Sequence, residues 1–257
     1  MYDFHCHTTY SDGELIPSEL IRRMAYAGYT EMGIADHADF SNIEELIAAQ
    51  KRVKRSAELY GISLYTGVEL THVPPEEIDE LANLAKSLGA EVVIVHGETT
   101  AEPVADGTNF AALSSDAVDI LAHPGLITEE EAKLAAKNNV YLELTSRGGH
   151  NRTNGHVLSL GKRAGASFVI QSDIHSPDDI ISEDTRYIVA RGAGMTEDEA
   201  KSVLSLTAET VQAMYAMYGL GDDSFTGILS GYFNIINICI YILRFDSNRS
   251  VLQNDLH

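Results

Sequence analysis

Val92-Val93-Ile94-Val95 runs directly into His96, a short and wholly apolar stretch that stops at a side chain able to bind a metal or move a proton. A run of this length rich in β-branched residues reads as a strand buried on both faces, which is what a parallel sheet covered by helices requires. The same ending recurs on either side of it. Residues 62–68 lead into Glu69, 118–122 into His123, and 168–172 into Asp173 and His175. Nearer the start, Met32-Gly33-Ile34-Ala35 delivers Asp36-His37, and the chain opens on His5-Cys6-His7 followed by Tyr10-Ser11-Asp12-Gly13. Between these runs, residues 17–27, 43–60, 76–88 and 129–137 place apolar side chains at helical spacing. The βαβα alternation, repeated about seven times, predicts an α/β barrel whose C-terminal rim carries the chemistry.

In a strand, side chains alternate between faces, so His5 and His7 share one side and Cys6 takes the other. Cys6 is therefore expected to be a small buried hydrophobe rather than a thiolate ligand. One histidine at a strand end is more often a hydrogen-bonded structural group than a ligand. A series of them at successive strand ends points to a metal centre. Asp12 also suits the turn before Gly13, and Asp36, next to His37, is expected to orient that ring from behind.

The stretches HCHTTYSDGELIP, GIADHADF, GVEL, VHGE, LAHPG and QSDIHSPDD resemble, in order, the successive motifs of the PHP (polymerase and histidinol phosphatase) superfamily, over roughly residues 1–220. VHGET, LAHPG and RGGH with the following NGH look most like its stand-alone histidinol-phosphatase-like members. The resemblance implies a distorted (β/α)7 barrel with two to three divalent ions at its mouth. Carried over by position, it implies one ion on His5, His7, Glu69 and Asp173, a second on Asp12, His37 and His175, and a third on Glu69, His96 and His123. Imidazole and carboxylate together suit manganese, zinc or iron. Glu69 would bridge two ions, because neighbouring cations repel unless an anion lies between them.

Residues 145–150, Thr-Ser-Arg-Gly-Gly-His, follow a strand-like run at 140–144 and fall on the same rim. Paired glycines allow close backbone approach to a ligand, and Arg147 offers a planar fork that matches phosphate oxygens. Arg147 is expected to clamp a phosphate, with His150 and His156 as further substrate contacts. The alternative is an ordinary glycine-rich loop with a solvated arginine. Thr153-Asn154 also reads as a helix start, which would set His156 near a helix end that favours anions.

Eighteen Lys and Arg against 38 Asp and Glu give a formal charge of -20, which disfavours a long nucleic acid as partner, since that affinity comes from phosphate neutralisation. A small phosphorylated metabolite remains suitable, because bound divalent ions invert the local field. Two cysteines provide no disulfide framework, and the first residues carry candidate ligands rather than a signal peptide, so the cytoplasm is the expected address. Residues 1–222 are expected to form the phosphoesterase domain and 223–257 an apolar tail. Within the tail, 225–243 is an uncharged run of about membrane-spanning length, interrupted by glycines and asparagines. A membrane anchor, an oligomer contact, a strand-like appendage and a non-native extension all stay open for it.

The expected activity is hydrolysis of a small phosphomonoester, of the histidinol-phosphate type, by a metal-activated water, with Asp173 and Arg147 in the catalytic set. Phosphodiester or 3'-5' exonuclease action on short nucleotides is the enzymatic alternative. A non-catalytic metal-binding regulatory module is the alternative from another class.

Overall fold

The computed structural model describes residues 1–205. The domain boundary expected at 222 and the uncharged run at 225–243 lie outside the described residues. Eight strands are present among the described residues: β1 (Tyr2–Asp3), β2 (Glu31–Ile34), β3 (His37–Ala38), β4 (Ser63–Leu70), β5 (Val92–His96), β6 (Ile120–Ala122), β7 (Tyr141–Thr145) and β8 (Phe168–Gln171). All pairings are parallel, in the order β1-β2-β4-β5-β6-β7-β8, with β3 also against β4. Glu31 pairs with Ser63 and His37 with Glu69, so β2 and β3 are two halves of one strand broken at Ala35-Asp36. Counted that way the sheet has seven strands, nearly closed into the expected (β/α)7 barrel.

The helices are α1 (Pro17–Tyr26), α2 (Ile43–Leu59), α3 (Ile78–Ser87), α4 (Thr108–Ser114), α5 (Glu129–Asn138), α6 (Asn154–Ala164), α7 (Glu183–Ala193) and α8 (Glu197–Leu204). Their ends follow local chemistry. Pro17 starts α1 with no backbone donor to waste, and α5 opens on a capping box between Thr128 and Glu131 and ends on Asn139 in the left-handed region. Helix α4 escapes the periodicity because it is only two turns long and is anchored by Glu98, whose Oε1 accepts the Gly107 and Asn109 N–H groups.

Outward strand residues such as Val68, Val93, Leu121, Leu142 and Ile170 pack under the helices in one apolar cluster, and Cys6, Leu20, Ile21, Met24, Met32 and Ile34 form a second around the first strands. Each fully buried aliphatic side chain contributes about 1.5–3 kcal/mol. Cys6 faces this second cluster, as alternation requires, and burial pushes its thiol well above the usual range.

Closure between the first and last strands is partial. Near the mouth, the His7 N–H donates to the Ile174 carbonyl at 2.7 Å and the Ile174 N–H to the His5 carbonyl at 3.1 Å. Further down, side chains replace the ladder. The Ile170 N–H reaches the Tyr2 hydroxyl at 3.4 Å, and the Ile170 carbonyl accepts from Arg186 Nη2 at 2.8 Å. Arg186 is fully buried, with its guanidinium 4.3 Å from the Tyr2 ring centroid. No helix among the described residues is long and apolar enough to cross a membrane.

Candidate metal centre

The strand ends bring the expected ligands together. His5 and His7 leave the β1 extension on one side, with ring centroids 5.1 Å apart. Glu69 closes β4 between two pairs of imidazoles: Oε1 lies 3.3 Å from His5 Nε2 and 3.6 Å from His123 Nε2, and Oε2 lies 2.8 Å from His37 Nδ1 and 3.6 Å from His7 Nε2. Asp173 approaches from β8, 3.2 Å from His7 Nε2 and 3.6 Å from His5 Nε2. Asp12 meets His37 Nε2 at 3.3 Å and His175 Nε2 at 3.1 Å. The Thr8–Gly13 turn that carries Asp12 folds so tightly onto the strand that a Cβ on Gly13 would lie 2.5 Å from the His7 carbonyl oxygen.

Grouped by ligand atoms that could share one ion, the described residues give His7 with Asp12, His37 and His175, His5 with His7 and Glu69, and His5 with His123 and Asp173. His96 falls in with His123 and His150, and separately with His72 and Glu102. The sequence-based third set of Glu69, His96 and His123 is therefore not gathered as one triad. His96 Nε2 turns toward Glu102 Oε1, 2.9 Å away, and its Nδ1 lies 3.1 Å from the Gly97 carbonyl.

His5 Nε2, both ring nitrogens of His7, Glu69 Oε1, His123 Nδ1 and Asp173 Oδ1 are buried without a hydrogen-bond partner. Buried polar atoms left this way are costly, and here they come from separate strands and fall in several neighbouring groups of potential ligands, which is the donor set a cluster of divalent ions needs. The residues present fit such ions.

The electrostatics of the centre's own side chains are divided. Burial depresses His5, but the carboxylates of Glu143, Glu69 and Asp173 outweigh it and hold the ring well above the usual histidine range. His37 is likewise carried against burial up to about 9 by Glu69, Asp12 and Asp173. Burial takes His7 down to about 4, and burial with the neighbouring His96 takes His123 well below its usual value. Glu69 and Asp173 stay well below the usual carboxylate range despite burial, because His5 and the adjoining imidazoles favour their anions. Asp173 and His123 occupy the left-handed region, at φ 52° and 28°, a strain of the kind that collects at functional sites.

The centre opens into a cavity of about 520 Å³ whose lining includes Asp12, His72, Glu102, Arg147, His150 and His175. Arg147 is the single Lys or Arg among the described lining residues. Its Nη1 donates to the Asp173 carbonyl at 3.2 Å and to Asp179 Oδ2 at 3.4 Å, and its Nε lies 3.5 Å from Asp173 Oδ2. His150 reaches the cavity, its ring 4.4 Å from that of His123. His156 does not: it projects from α6, with Nε2 bonded to the Ile127 carbonyl at 2.8 Å, so the substrate contact expected of it is replaced by a packing role between α6 and the loop before α5.

Asp36 also differs from expectation. Its Oδ1 accepts the Thr8 N–H at 2.6 Å and the Ser11 hydroxyl at 2.9 Å, and Oδ2 accepts the Thr8 hydroxyl at 2.8 Å. It braces the Asp12 turn, whereas His37 Nδ1 is held by Thr71 Oγ1 at 2.7 Å and by Glu69.

Three residues of the site escaped the sequence-based set. Glu143 lies fully buried on β7 with Oε1 2.7 Å from His5 Nδ1, and Oε2 accepts the His123 backbone N–H at 2.8 Å. The visible signal was an acid in the otherwise apolar run Tyr141-Leu142-Glu143-Leu144. Glu102 and His72 sit on loops, where no periodicity marks them.

Comparison with known proteins agrees with this geometry. A family model described as PHP domain matches residues 3–96. An uncharacterized protein of Methanocaldococcus jannaschii is 47% identical over 205 residues, 79% of this chain and 94% of that protein. Ribonuclease P protein component 3 of Methanosarcina barkeri is 27% identical over 225 residues, 82% of this chain and 87% of that one. DNA polymerase/3'-5' exonuclease PolX of Bacillus subtilis is 25% identical over 222 residues, 79% of this chain but 38% of the relative. With the barrel, the converging ligands and these relatives in agreement, the chain belongs to the PHP domain family.

Proposed function

We propose that this protein is a phosphoesterase that hydrolyses a small phosphomonoester, of the histidinol-phosphate type, at the centre on the barrel mouth. The observation that carries this is the lining of the cavity: one Lys or Arg side chain, Arg147, beside the imidazoles of His37, His96 and His175 and the carboxylates of Asp12 and Asp173, in a space of about 520 Å³. Two to three manganese, zinc or iron ions would be held by His5, His7, Glu69 and Asp173, by Asp12, His37 and His175, and by His123 with His96 and His150. When bound, such ions supply an activated water at neutral pH and charge neutralisation for the phosphoryl oxygens.

The protein's own groups supply the rest. Arg147 would present its fork to the phosphate and stabilise charge as it develops. Asp173 holds His7 and His175 in place and keeps Arg147 on the cavity wall. His150, half-buried and with its pKa lowered by burial and by His96, would meet the substrate or an ion from the cavity wall beside His123.

A phosphodiester substrate, such as the end of a short nucleic acid, is favoured by one observation, the similarity to Ribonuclease P protein component 3 and to PolX. The formal charge of -20 opposes an extended polyanion. The two classes are separated by reconstituting the protein with manganese, zinc or iron and assaying phosphomonoesters, cyclic phosphates and short oligonucleotides side by side. Release of phosphate from monoesters alone is the expected result. Preferential trimming of oligonucleotides would replace the small-ester substrate, and full metal loading without turnover on any of them would indicate a non-catalytic metal-binding module.

A further inference from the structure

Helix α2 turns to solvent a stripe whose two halves carry opposite charge. Glu44, Glu45, Ala48, Arg52, Arg55 and Leu59 recur at helical spacing and are all exposed, while Ile43, Leu46, Ile47 and Gln50 are buried on the face that packs. The acids sit in the first half and the arginines in the second. Seven or more positions separate them, about 10 Å or more along the axis, so they cannot pair within their own helix. Nor do they pair elsewhere. The side chains of Glu44, Glu45, Arg52 and Arg55 make no hydrogen bond or ion pair with any described residue, whereas Lys51 and Lys54, on the flank of the same helix, are anchored to the Leu88 carbonyl and to Glu91.

A stripe that is acidic at one end and basic at the other is complementary to itself when reversed. An antiparallel copy of α2, related by a twofold axis level with residue 50, sets residue 45 of one helix opposite residue 55 of the other and residue 48 opposite residue 52. Glu45 then faces Arg55 on both sides of the axis, with Glu44 beside it. Ala48, the smallest side chain of the stripe, falls next to the axis, where short side chains let helices approach closely. At the ends, residues 40 and 41 come opposite residues 60 and 59, which brings Phe40, 45% exposed, to Leu59 and Tyr60, 78% and 47% exposed. Exposed ion pairs add little affinity but fix orientation, and the two apolar ends supply the burial. Net charge favours the same occupant. Two molecules of formal charge -20 repel each other, yet on this stripe acids and arginines are equal in number, so copies can meet here without setting like charge against like.

We propose that α2 is the interface of a twofold-symmetric homodimer, packed antiparallel on the α2 of a second copy with Glu44 and Glu45 against Arg52 and Arg55. The contact reaches the cavity. Phe40 stands in the loop that supplies Asp39 and Asn42 to the cavity lining, so the end of the second copy's helix braces that wall. A helix of 17 residues is about 25 Å long, which gives an interface near the small end of specific contacts and a dimer in exchange with its monomers.

The test is the mass of the full chain in solution, by sedimentation velocity across a dilution series at about 0.15 M salt, where long-range repulsion is screened. Two charge-reversal variants are compared with the wild type: Arg52→Glu with Arg55→Glu, whose stripe is wholly acidic, and Glu44→Arg with Glu45→Arg, whose stripe is wholly basic. The wild type is expected to dimerise, and each variant alone to associate at least tenfold more weakly, since like charges then face each other across the axis. Mixing the two variants should restore a dimer holding one copy of each. Circular dichroism and thermal unfolding check that all three proteins are equally folded, as expected of changes at solvent-facing positions. A wild type that stays monomeric throughout the series would overturn the proposal. So would association that the separate reversals leave unchanged or that mixing fails to restore, because the contact would then lie on another face.

Discussion

Glu143 Oε1 lies 2.7 Å from His5 Nδ1 while its other oxygen holds the His123 backbone N–H at 2.8 Å, so one buried carboxylate fixes a ring on the first strand and the main chain of a ligand on the sixth. The contact sets the His5 tautomer, leaving Nε2 to face Glu69 and Asp173. It also secures His123 in its left-handed conformation. A carboxylate behind a metal-binding histidine raises the ligand's basicity and limits its rotation, and losing such a partner commonly weakens metal binding by about 10–100-fold.

Glu143→Gln keeps the shape but removes the charge. It is expected to weaken binding of the innermost ion within that range while the protein stays folded, as read by competitive metal titration alongside circular dichroism. Glu69→Gln should do more, because Glu69 touches His5, His123, His7 and His37 together. Elemental analysis is expected to show more than one ion lost.

The barrel and most of its rim were legible in the sequence because most strands are short, continuous apolar runs that end in a ligand, a signal local in the chain. The strand break at Ala35-Asp36 was not, since residues 32–38 carry one continuous apolar and ligand signal and both halves keep one register against β4. His156 misled for the opposite reason: its setting in a glycine-rich loop looks like a site, but helical geometry turns it to the Ile127 carbonyl. Glu102 and Asp36 depend on how loops fold back onto strand ends, which is tertiary information. Arg186 lies in an amphipathic helix where an arginine reads as solvated, and only the gap between β1 and β8 explains its burial.

That gap yields a stability prediction. Arg186 caps the Ile170 carbonyl, stacks on Tyr2, and its charge offsets burial of the Asp3 carboxylate. Replacing it with Met fills much of the space yet leaves the carbonyl unpaired and the acid without its countercharge. Removing one partner of a buried charged pair costs about 3–5 kcal/mol. Arg186→Met should therefore lower the urea midpoint substantially with little change in slope, and Asp3→Asn combined with it should recover part of the loss.

The pH response follows from His37, whose pKa of about 9 exceeds the usual 6.5. A histidine raised on folding stabilises the protein fully below the lower value, and that contribution is lost as pH rises through the upper one. Metal-free protein should thus lose stability between pH 6.5 and just above 9. Metal binding has the opposite slope, because the ion needs the neutral ring. Affinity should rise across the same window, with proton release detectable by calorimetry in buffers of different ionisation enthalpy.

Arg147 separates a phosphate clamp from a structural tie. It is held to the Asp173 carbonyl and to Asp179, which itself accepts the His175 and Ser176 N–H groups, so its removal perturbs a turn as well as the cavity wall. If the guanidinium grips phosphate, Arg147→Ala should lower kcat/KM by about 10²–10³, the scale of one lost electrostatic donor. Arg147→Lys should recover only part, since an ammonium is not a planar fork. Metal content should be kept or slightly increased in both, because Asp173 loses a competing cation. A purely structural role would instead lower thermal stability in proportion to activity, and lysine would then restore both together, so measuring kinetics, metal content and unfolding on the same two variants decides between them.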